Sequence, residues 1–319
     1  MGVRLLNTFL QTHSSTITKK IHLRTLRGKR IVVDASIYMY RFKALGCLIE
    51  NMYMLCSLFR YYGIQPLFVF DGEKRRQDKN KTIQRRKVQK AKAKREYIKY
   101  ENELNNLIND VDREKVVGKM EELRRNFVTM SKSDLEEVQA LLDAYGIMYR
   151  TAPSEADELC AALVIKGMAY ACLSEDTDMF ALGCPRVLKY ISLMNHTTVL
   201  YDLSKILNNL NLSLENFQTM CLLSGTDYID IHSGGNIFQN YNLYKVFYEN
   251  NTGLFIDWLY DNKYLTINKY KILQAEKQIY YKGINNVFNE MNYFLIRNRD
   301  VNFPKLREIL KKEGFIFPK

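Results

Sequence analysis

No stretch of the 319-residue chain approaches the ~18 consecutive apolar residues of a membrane span, so the expectation is a globular protein that does not cross a bilayer. Cysteine is sparse. Cys47, Cys56, Cys160, Cys172, Cys184 and Cys221 are scattered and contain no C-x-x-C pair, which argues against a disulfide framework or a zinc site and predicts reduced core residues. The histidines, His13, His22, His196 and His232, have no partner at ligand spacing. There is no glycine-rich phosphate loop and no Ser/His/Asp or Cys/His order to support a nucleophilic mechanism. Proline is absent from 36–62 and from 73–132, so nothing in those stretches interrupts a helix. Met1–Leu6 lacks an apolar secretory core, and Leu6 stands where a myristoylation signal needs Ser or Thr, so an intracellular protein is expected.

What the chain does have is localised positive charge. Its 47 Lys and Arg against 35 Asp and Glu give +12. Residues 74–99 alone hold 13 basic and 2 acidic side chains, leaving the rest nearly neutral. A solvated helix face usually carries both signs. A block of one sign predicts a polyanionic partner, most often nucleic acid.

Hydropathy patterning supplies the frame. Ile31-Val32-Val33-Asp34 and Leu67-Phe68-Val69-Phe70-Asp71-Gly72 read as buried strands that end on carboxylates. Helical spacing fills 36–62 between them, and Gly63 with Pro66 marks the turn. The charged stretch 73–132 predicts one or two exposed helices. A Ser133-x-x-Glu136 capping box then predicts a helix to Tyr145, an extended piece to Ala152 and a helix from Ser154 to about Lys166. Ala169–Leu173 is a third buried strand, followed by Ser174-Glu175-Asp176-Thr177-Asp178. Strands near 187–193 and 197–201 and two helices lead to Ser224-Gly225-Thr226-Asp227, and residues beyond 228 read as helical around a Gly234-Gly235 turn. Alternating strands and helices predict an α/β fold with a mainly parallel sheet and helices on both faces.

The carboxylates fall where such a fold collects ligands, at the C-terminal ends of its parallel strands. Asp34, Asp71 and Asp176 with Asp178 follow strands, and Glu155 and Asp157 stand at a helix entry. A single Asp after a strand is more commonly a cap or turn residue. Several such clusters at one edge repel one another unless cations neutralise them, and all-oxygen ligands select Mg²⁺ or Mn²⁺ over zinc. A two-metal site is the reading that follows.

These residues carry a resemblance. Met1-Gly2-Val3, Val32-Val33-Asp34-Ala35-Ser36 with Tyr40 beyond it, Val69-Phe70-Asp71-Gly72, Ala152-Pro153-Ser154-Glu155-Ala156-Asp157, Ser174-Glu175-Asp176-Thr177-Asp178 and Leu223-Ser224-Gly225-Thr226-Asp227-Tyr228 occur in the order of the flap endonuclease/XPG family of structure-specific 5′ nucleases. The chain resembles that family over about residues 1–230. The resemblance implies a PIN-like nuclease core in two parts, 1–72 and 133–227, a basic helical arch at 73–132, and a C-terminal helical DNA-binding region of helix-two-turn-helix type at 228–319. It implies two Mg²⁺ ions, with Mn²⁺ as a substitute, held by Asp34, Asp71, Glu155, Asp157, Asp176, Asp178 and Asp227. Asp157 stands where the family usually has Glu.

For the scissile phosphate the resemblance implies Arg85 and a lysine whose position falls on Asp78 or, with a one-residue shift, on Lys79. It implies nucleic-acid contacts at Gly2, at Tyr40, whose ring stacks a base unless it is a half-buried helix tyrosine, and at Arg75, Arg76, Lys81, Arg86, Lys90, Lys92 and Lys94 of the arch, with Gly234 and Gly235 on the duplex. Three departures stand out. Residues 43–62 are shorter than the family segment that builds the 3′-flap pocket, the arch is longer, and Ile229–Asn236 replaces the potassium-binding G-x-G hairpin. The implied activity is 5′ flap endonuclease with 5′-to-3′ exonuclease, on branched DNA in replication, repair or recombination. An mRNA endonuclease on the same fold and a catalytically silent binder are the alternatives. A monomer without a recognisable sliding-clamp motif is expected, in the nucleus or a viral replication compartment.

Overall fold

The computed structural model describes residues 2–13, 18–72, 80–104, 110–225, 235–250, 253–265, 269–276 and 298–316. The chain divides into two compact units, one of Met1–Asp34, Leu58–Arg76 and Met148–Asn298, the other of Ala35–Ser57, Gln77–Ile147 and Arg299–Lys319.

The first unit is built on a sheet. Its strands are β1 (Lys19–His22), β2 (Arg30–Asp34), β3 (Gln65–Phe70), β4 (Met148–Thr151), β5 (Ala171–Leu173), β6 (Arg186–Ser192) and β7 (Thr197–Asp202). Among the described residues they run in the order β1-β7-β6-β5-β2-β3-β4. From β6 through β5, β2 and β3 to β4 the pairing is parallel, whereas β7 pairs antiparallel with both β6 and β1. The expected mainly parallel α/β sheet is present. Ile31, Val32 and Val33 are all fully buried because a central parallel strand is covered on both faces. Strand β1 and the helix before it, α1 (Leu6–His13), had no counterpart in the sequence patterning.

Helix α1 contributes Leu6, Phe9 and Leu10 to a core shared with Val32, Leu67 and Val69 of the sheet and with helices that follow. Of these, α7 (Ala156–Ile165) is buried at every position from Ala156 to Val164, Asp157 and Glu158 of its first turn included. It begins at Ala156 rather than at Ser154, and Glu155 occupies the extended cap position. After β5 come α8 (Asp178–Ala181), α9 (Leu203–Leu210) and α10 (Leu214–Leu223), then α11 (Ile237–Asn250), α12 (Phe255–Asp261) and α13 (Lys269–Glu276). Phe217, Met220 and Cys221 of α10 join the same core. On the sheet's other face Phe68 is buried, with the Phe59 ring 6.4 Å away.

The second unit is helical. Residues 36–62, expected as one helical run, form α2 (Ala35–Ala44) and α3 (Leu48–Tyr61). The break comes at Gly46, whose φ of +79° glycine adopts without steric cost. The charged stretch gives α4 (Asn80–Leu104) and α5 (Asp110–Phe127), which pack together with the Tyr97 and Phe127 rings edge to face at 5.2 Å. Helix α6 (Lys132–Ala144) corrects the expected cap: Ser131, not Ser133, is the N-cap, and its reciprocal partner is Asp134. The Ser131 hydroxyl accepts the Asp134 N–H at 3.2 Å and the Asp134 carboxylate accepts the Ser131 N–H at 2.6 Å. Asp134 displaces the expected partner because Lys43 also binds its carboxylate, while Ser133 turns to Glu137 (3.1 Å). A final helix, Phe303–Lys312, follows Arg299 and Asn302, whose N–H groups donate to the Gly146 and Ala144 carbonyls.

Five of the six cysteines are buried and all are free, as expected, while Cys47 is exposed at the α2–α3 turn. No described helix is long and apolar enough to cross a membrane.

Candidate metal centre

Strand order sets the geometry. Because β2 lies between β5 and β3 and all three are parallel, their C-terminal ends are neighbours, and these ends carry Asp34, Asp71 and the 174–178 turn. Asp34 is only 5% exposed. Burial pushes its carboxyl well above the ordinary range, and the charges of Asp71, Asp157 and Asp176 push it further, against the lowering effect of the Ser174 hydroxyl. That hydroxyl donates to Asp34 Oδ2 at 3.0 Å. Four carboxylates from four separate segments thus share one electrostatic neighbourhood.

Each is fixed by backbone or by a neighbouring hydroxyl. Asp71 Oδ1 accepts the Ala156 N–H at 2.9 Å, capping α7, and the Gly72 N–H donates to the Ser154 carbonyl at 2.7 Å. A side chain at Gly72 would collide with the Ala152 carbonyl, so the two segments approach closely only with glycine there. Asp157 Oδ1 accepts the Glu158 N–H at 2.8 Å. In the turn after β5, Ser174 Oγ accepts the Asp176 N–H (3.1 Å) and Asp176 Oδ1 accepts the Asp178 N–H (3.0 Å). Asp178 opens α8, is 2% exposed, and its charge, after burial, raises the Cys221 thiol of α10. Glu155 is half-buried at the cap of α7 and makes no side-chain cap bond.

Gly2 lies directly on the 174–178 turn. At φ +102° an added Cβ would collide with Asp176 Oδ1 and Thr177 Oγ1, so the backbone there is packed against the acidic turn. Asp227 and Gly234 lie outside the described residues. Gly235 precedes the start of α11, where Asn236 Oδ1 accepts the Phe238 and Gln239 N–H groups.

The donor set is all carboxylate oxygen, and it is drawn from separate segments that meet at one edge of the sheet. Both features fit a hard divalent cation. Among the described residues, no three His, Cys, Asp or Glu side chains stand close enough to enclose an ion.

Arg75, Arg76 and Lys79 fall outside the described residues. Lys81, Arg85 and Arg86 lie on α4. The Lys90 ammonium donates to the Val128 carbonyl at 3.0 Å and sits 5.5 Å from the centre of the Tyr40 ring, which is 44% exposed. Lys92 and Lys94 are exposed. Lys94 borders a groove of about 450 Å³ with Tyr97, Ile98, Glu101, Arg124 and Phe127.

Sequence reasoning missed Ser174, whose only signal was its place in the acidic turn. It also missed Lys189, a charge inside the apolar run Val187-Leu188-Lys189-Tyr190-Ile191.

Two family models match the chain, the XPG N-terminal domain over residues 1–93 and the XPG I-region over 146–227. The chain is 28% identical to flap endonuclease 1 of Mycosarcoma maydis, covering 72% of this chain and 63% of that protein. It is 30% identical to flap endonuclease 1 of Theileria parva, covering 77% and 51% respectively. It therefore spans less than two thirds of these relatives. Among solved structures it is similar to the catalytic core of Rad2 in complex with DNA substrate, at 25% identity and a TM-score of 0.67, covering 98% of this chain and 95% of that one.

Proposed function

The chain belongs to the XPG family, and on that premise we propose that it is a divalent-metal-dependent nuclease that cuts branched DNA at 5′ flaps and degrades DNA from 5′ ends. The observation that carries this reading is the convergence of Asp34, Asp71 and the Ser174–Asp178 turn at the C-terminal ends of the parallel strands β2, β3 and β5, with the Ser174 hydroxyl donating to Asp34 Oδ2. Such a cluster is stable as anions only with cations present.

Two Mg²⁺ ions, or Mn²⁺ in their place, would be held by Asp34, Asp71, Glu155, Asp157, Asp176, Asp178 and Asp227. When bound, such a pair supplies Lewis acidity to the attacking and leaving oxygens of a phosphodiester. Ser174 keeps Asp34 Oδ2 oriented through its donated hydrogen bond. Backbone N–H groups fix Asp71 and Asp176 through one oxygen each.

The resemblance assigns the phosphate charge to Arg85 and Lys79, and the single strand to Arg75, Arg76, Lys81, Arg86, Lys90, Lys92 and Lys94. Tyr40 offers a ring face for a base. Gly234 and Gly235 belong to the duplex-binding turn. The proposed working division is a nuclease core of 1–72 and 133–227, an arch of 73–132 and a DNA-binding region of 228–319, acting as a monomer in the nucleus or a viral replication compartment.

The test is cleavage of end-labelled 5′-flap DNA and a matched RNA in Mg²⁺ and in EDTA. Metal-dependent incision of the DNA near its junction is expected. Preferential cleavage of the RNA makes it an endoribonuclease, and tight binding without cleavage of either makes it a silent binder.

A further inference from the structure

Lys189 is a charged side chain that the proposed reaction does not use, yet it is only 1% exposed. Its ammonium donates to the Glu175 carbonyl at 3.0 Å and to Asn7 Oδ1 at 3.3 Å. The rings of Phe180 and Tyr190 lie 5.9 and 5.5 Å from it. Burial lowers its proton affinity, and the charges of Glu175 and Asp176 oppose that. The strand pairing is regular up to Lys189 and irregular beyond it. A bulge falls between Lys189 and Ser192, and Tyr190 takes a φ of +55°, unfavourable for a bulky residue. The Tyr190 N–H donates to Glu175 Oε1 at 2.9 Å and its hydroxyl to Asn7 Oδ1 at 2.7 Å, so Glu175 and Asn7 bind both Lys189 and Tyr190.

A structural tie alone does not need a charge. An amide or hydroxyl would bridge Glu175 and Asn7 without the desolvation that a buried ammonium suffers. What an ammonium adds is a positive potential beside Asp176, in an acidic edge that lacks compensation whenever its cations are absent.

We infer that Lys189 is an internal counter-charge beneath the Ser174–Asp178 turn, opposed by Glu175, and that this pair sets how tightly the acidic edge takes a divalent cation. The inference rests on the metal-centre reading above. Lys189 is here a positioning residue, acting through the turn that carries Asp176 and Asp178.

The experiment is calorimetric titration of the full chain with MnCl₂, without DNA, for wild type, Lys189→Met, Glu175→Gln and Lys189→Arg. Removing the cation raises the negative potential, so Lys189→Met tightens Mn²⁺ binding by about tenfold, the low end of what outer-shell changes do to metal affinity. Removing the anion leaves Lys189 unopposed, so Glu175→Gln weakens binding by a similar factor, and Lys189→Arg stays near wild type. Thermal melts add a second readout: Lys189→Met loses stability chiefly in EDTA and regains it in saturating Mn²⁺. Shifts of opposite sign support the proposal. Weakening in both charge-neutralised variants, or an equal loss of melting temperature with and without Mn²⁺, overturns it in favour of a structural tie. Should Lys189→Met not fold, unchanged affinity in Glu175→Gln overturns it equally. Wild type that takes up no Mn²⁺ removes the metal centre and this proposal together, whereas Mn²⁺ uptake without flap cleavage removes only the nuclease reading.

Discussion

The Asp71 carboxylate accepts the Ala156 N–H across 85 residues of sequence (2.9 Å). One side chain thereby ties the end of β3 to the first turn of α7. Asp71→Asn retains an acceptor for the cap, whereas Asp71→Ala removes it. Both are expected to abolish cleavage. Only the alanine variant should lose about 1 kcal/mol, the usual worth of an N-cap, in denaturant unfolding carried out in EDTA. Equal stability of the two variants would show that the cap contributes nothing.

Asp178→Ala should eliminate Mg²⁺-dependent cleavage while leaving flap affinity near wild type, because it removes a proposed ligand and also a negative charge that repels phosphate. A gel shift in Ca²⁺ paired with a cleavage course in Mg²⁺ decides it. Near-normal cutting would refute the assignment of Asp178 to the metal.

The reassigned cap of α6 gives a stability prediction. Ser131→Ala should cost about 1 kcal/mol and Ser133→Ala a few tenths, read from urea midpoints. Despite some burial, hydrogen bonds from Lys43 and Ser131 hold the Asp134 carboxyl below the usual carboxylate range. A depressed folded-state value means that its stabilisation is complete above the ordinary Asp value of about 3.9 and is lost as pH falls through the lower folded value. Asp134→Asn should therefore flatten the acid limb of the stability curve below that pH. A curve parallel to wild type would count against the pair.

On α4, Lys90 is engaged by the Val128 carbonyl and lies near the Tyr40 ring, whereas Lys92 and Lys94 are exposed. The salt dependence of flap binding should follow the exposed pair. Reversing Lys92 and Lys94 to Glu should reduce the slope of log affinity against log salt by about 0.7 to 0.9 for each phosphate that is no longer neutralised. Reversing Lys90 should in addition lower thermal stability. An unchanged slope would make this face of α4 a solvated one.

Helix α2 ends at Ala44 and α3 begins at Leu48, so only a short turn stands where the resemblance implies a wedge and a 3′-flap pocket. A smaller pocket offers less binding energy to separate flapped from unflapped 3′ ends. The ratio of kcat/KM for double-flap over single-flap DNA should lie within about tenfold of unity, the effect expected when a few hydrogen bonds of ~1 kcal/mol each are missing. A much larger preference would show that other residues rebuild the pocket.

Much was legible in sequence because it depends on local order. Buried strands announce themselves as apolar runs, so Asp34 and Asp71 were found by where those runs stop, and the strand–helix alternation fixed the parallel sheet. Like charge along 74–99 needs no fold to be seen. What the chain order could not state is which groups meet. Strand β2 lies between β5 and β3, which brings Asp34, Asp71 and the turn of Asp176 together, and the Asp71–Ala156 hydrogen bond adds the start of α7 with Asp157; the Ser174–Asp34 hydrogen bond alone spans 140 residues of sequence. Periodicity likewise hid the break at Gly46 and misplaced the cap of α6, because a left-handed φ and a lysine arriving from α2 leave no trace in hydropathy. Lys189 was invisible for the same reason. Sequence shows a lysine in a strand, but not that its ammonium is buried against the Glu175 carbonyl, since burial and the neighbours that offset it are properties of packing.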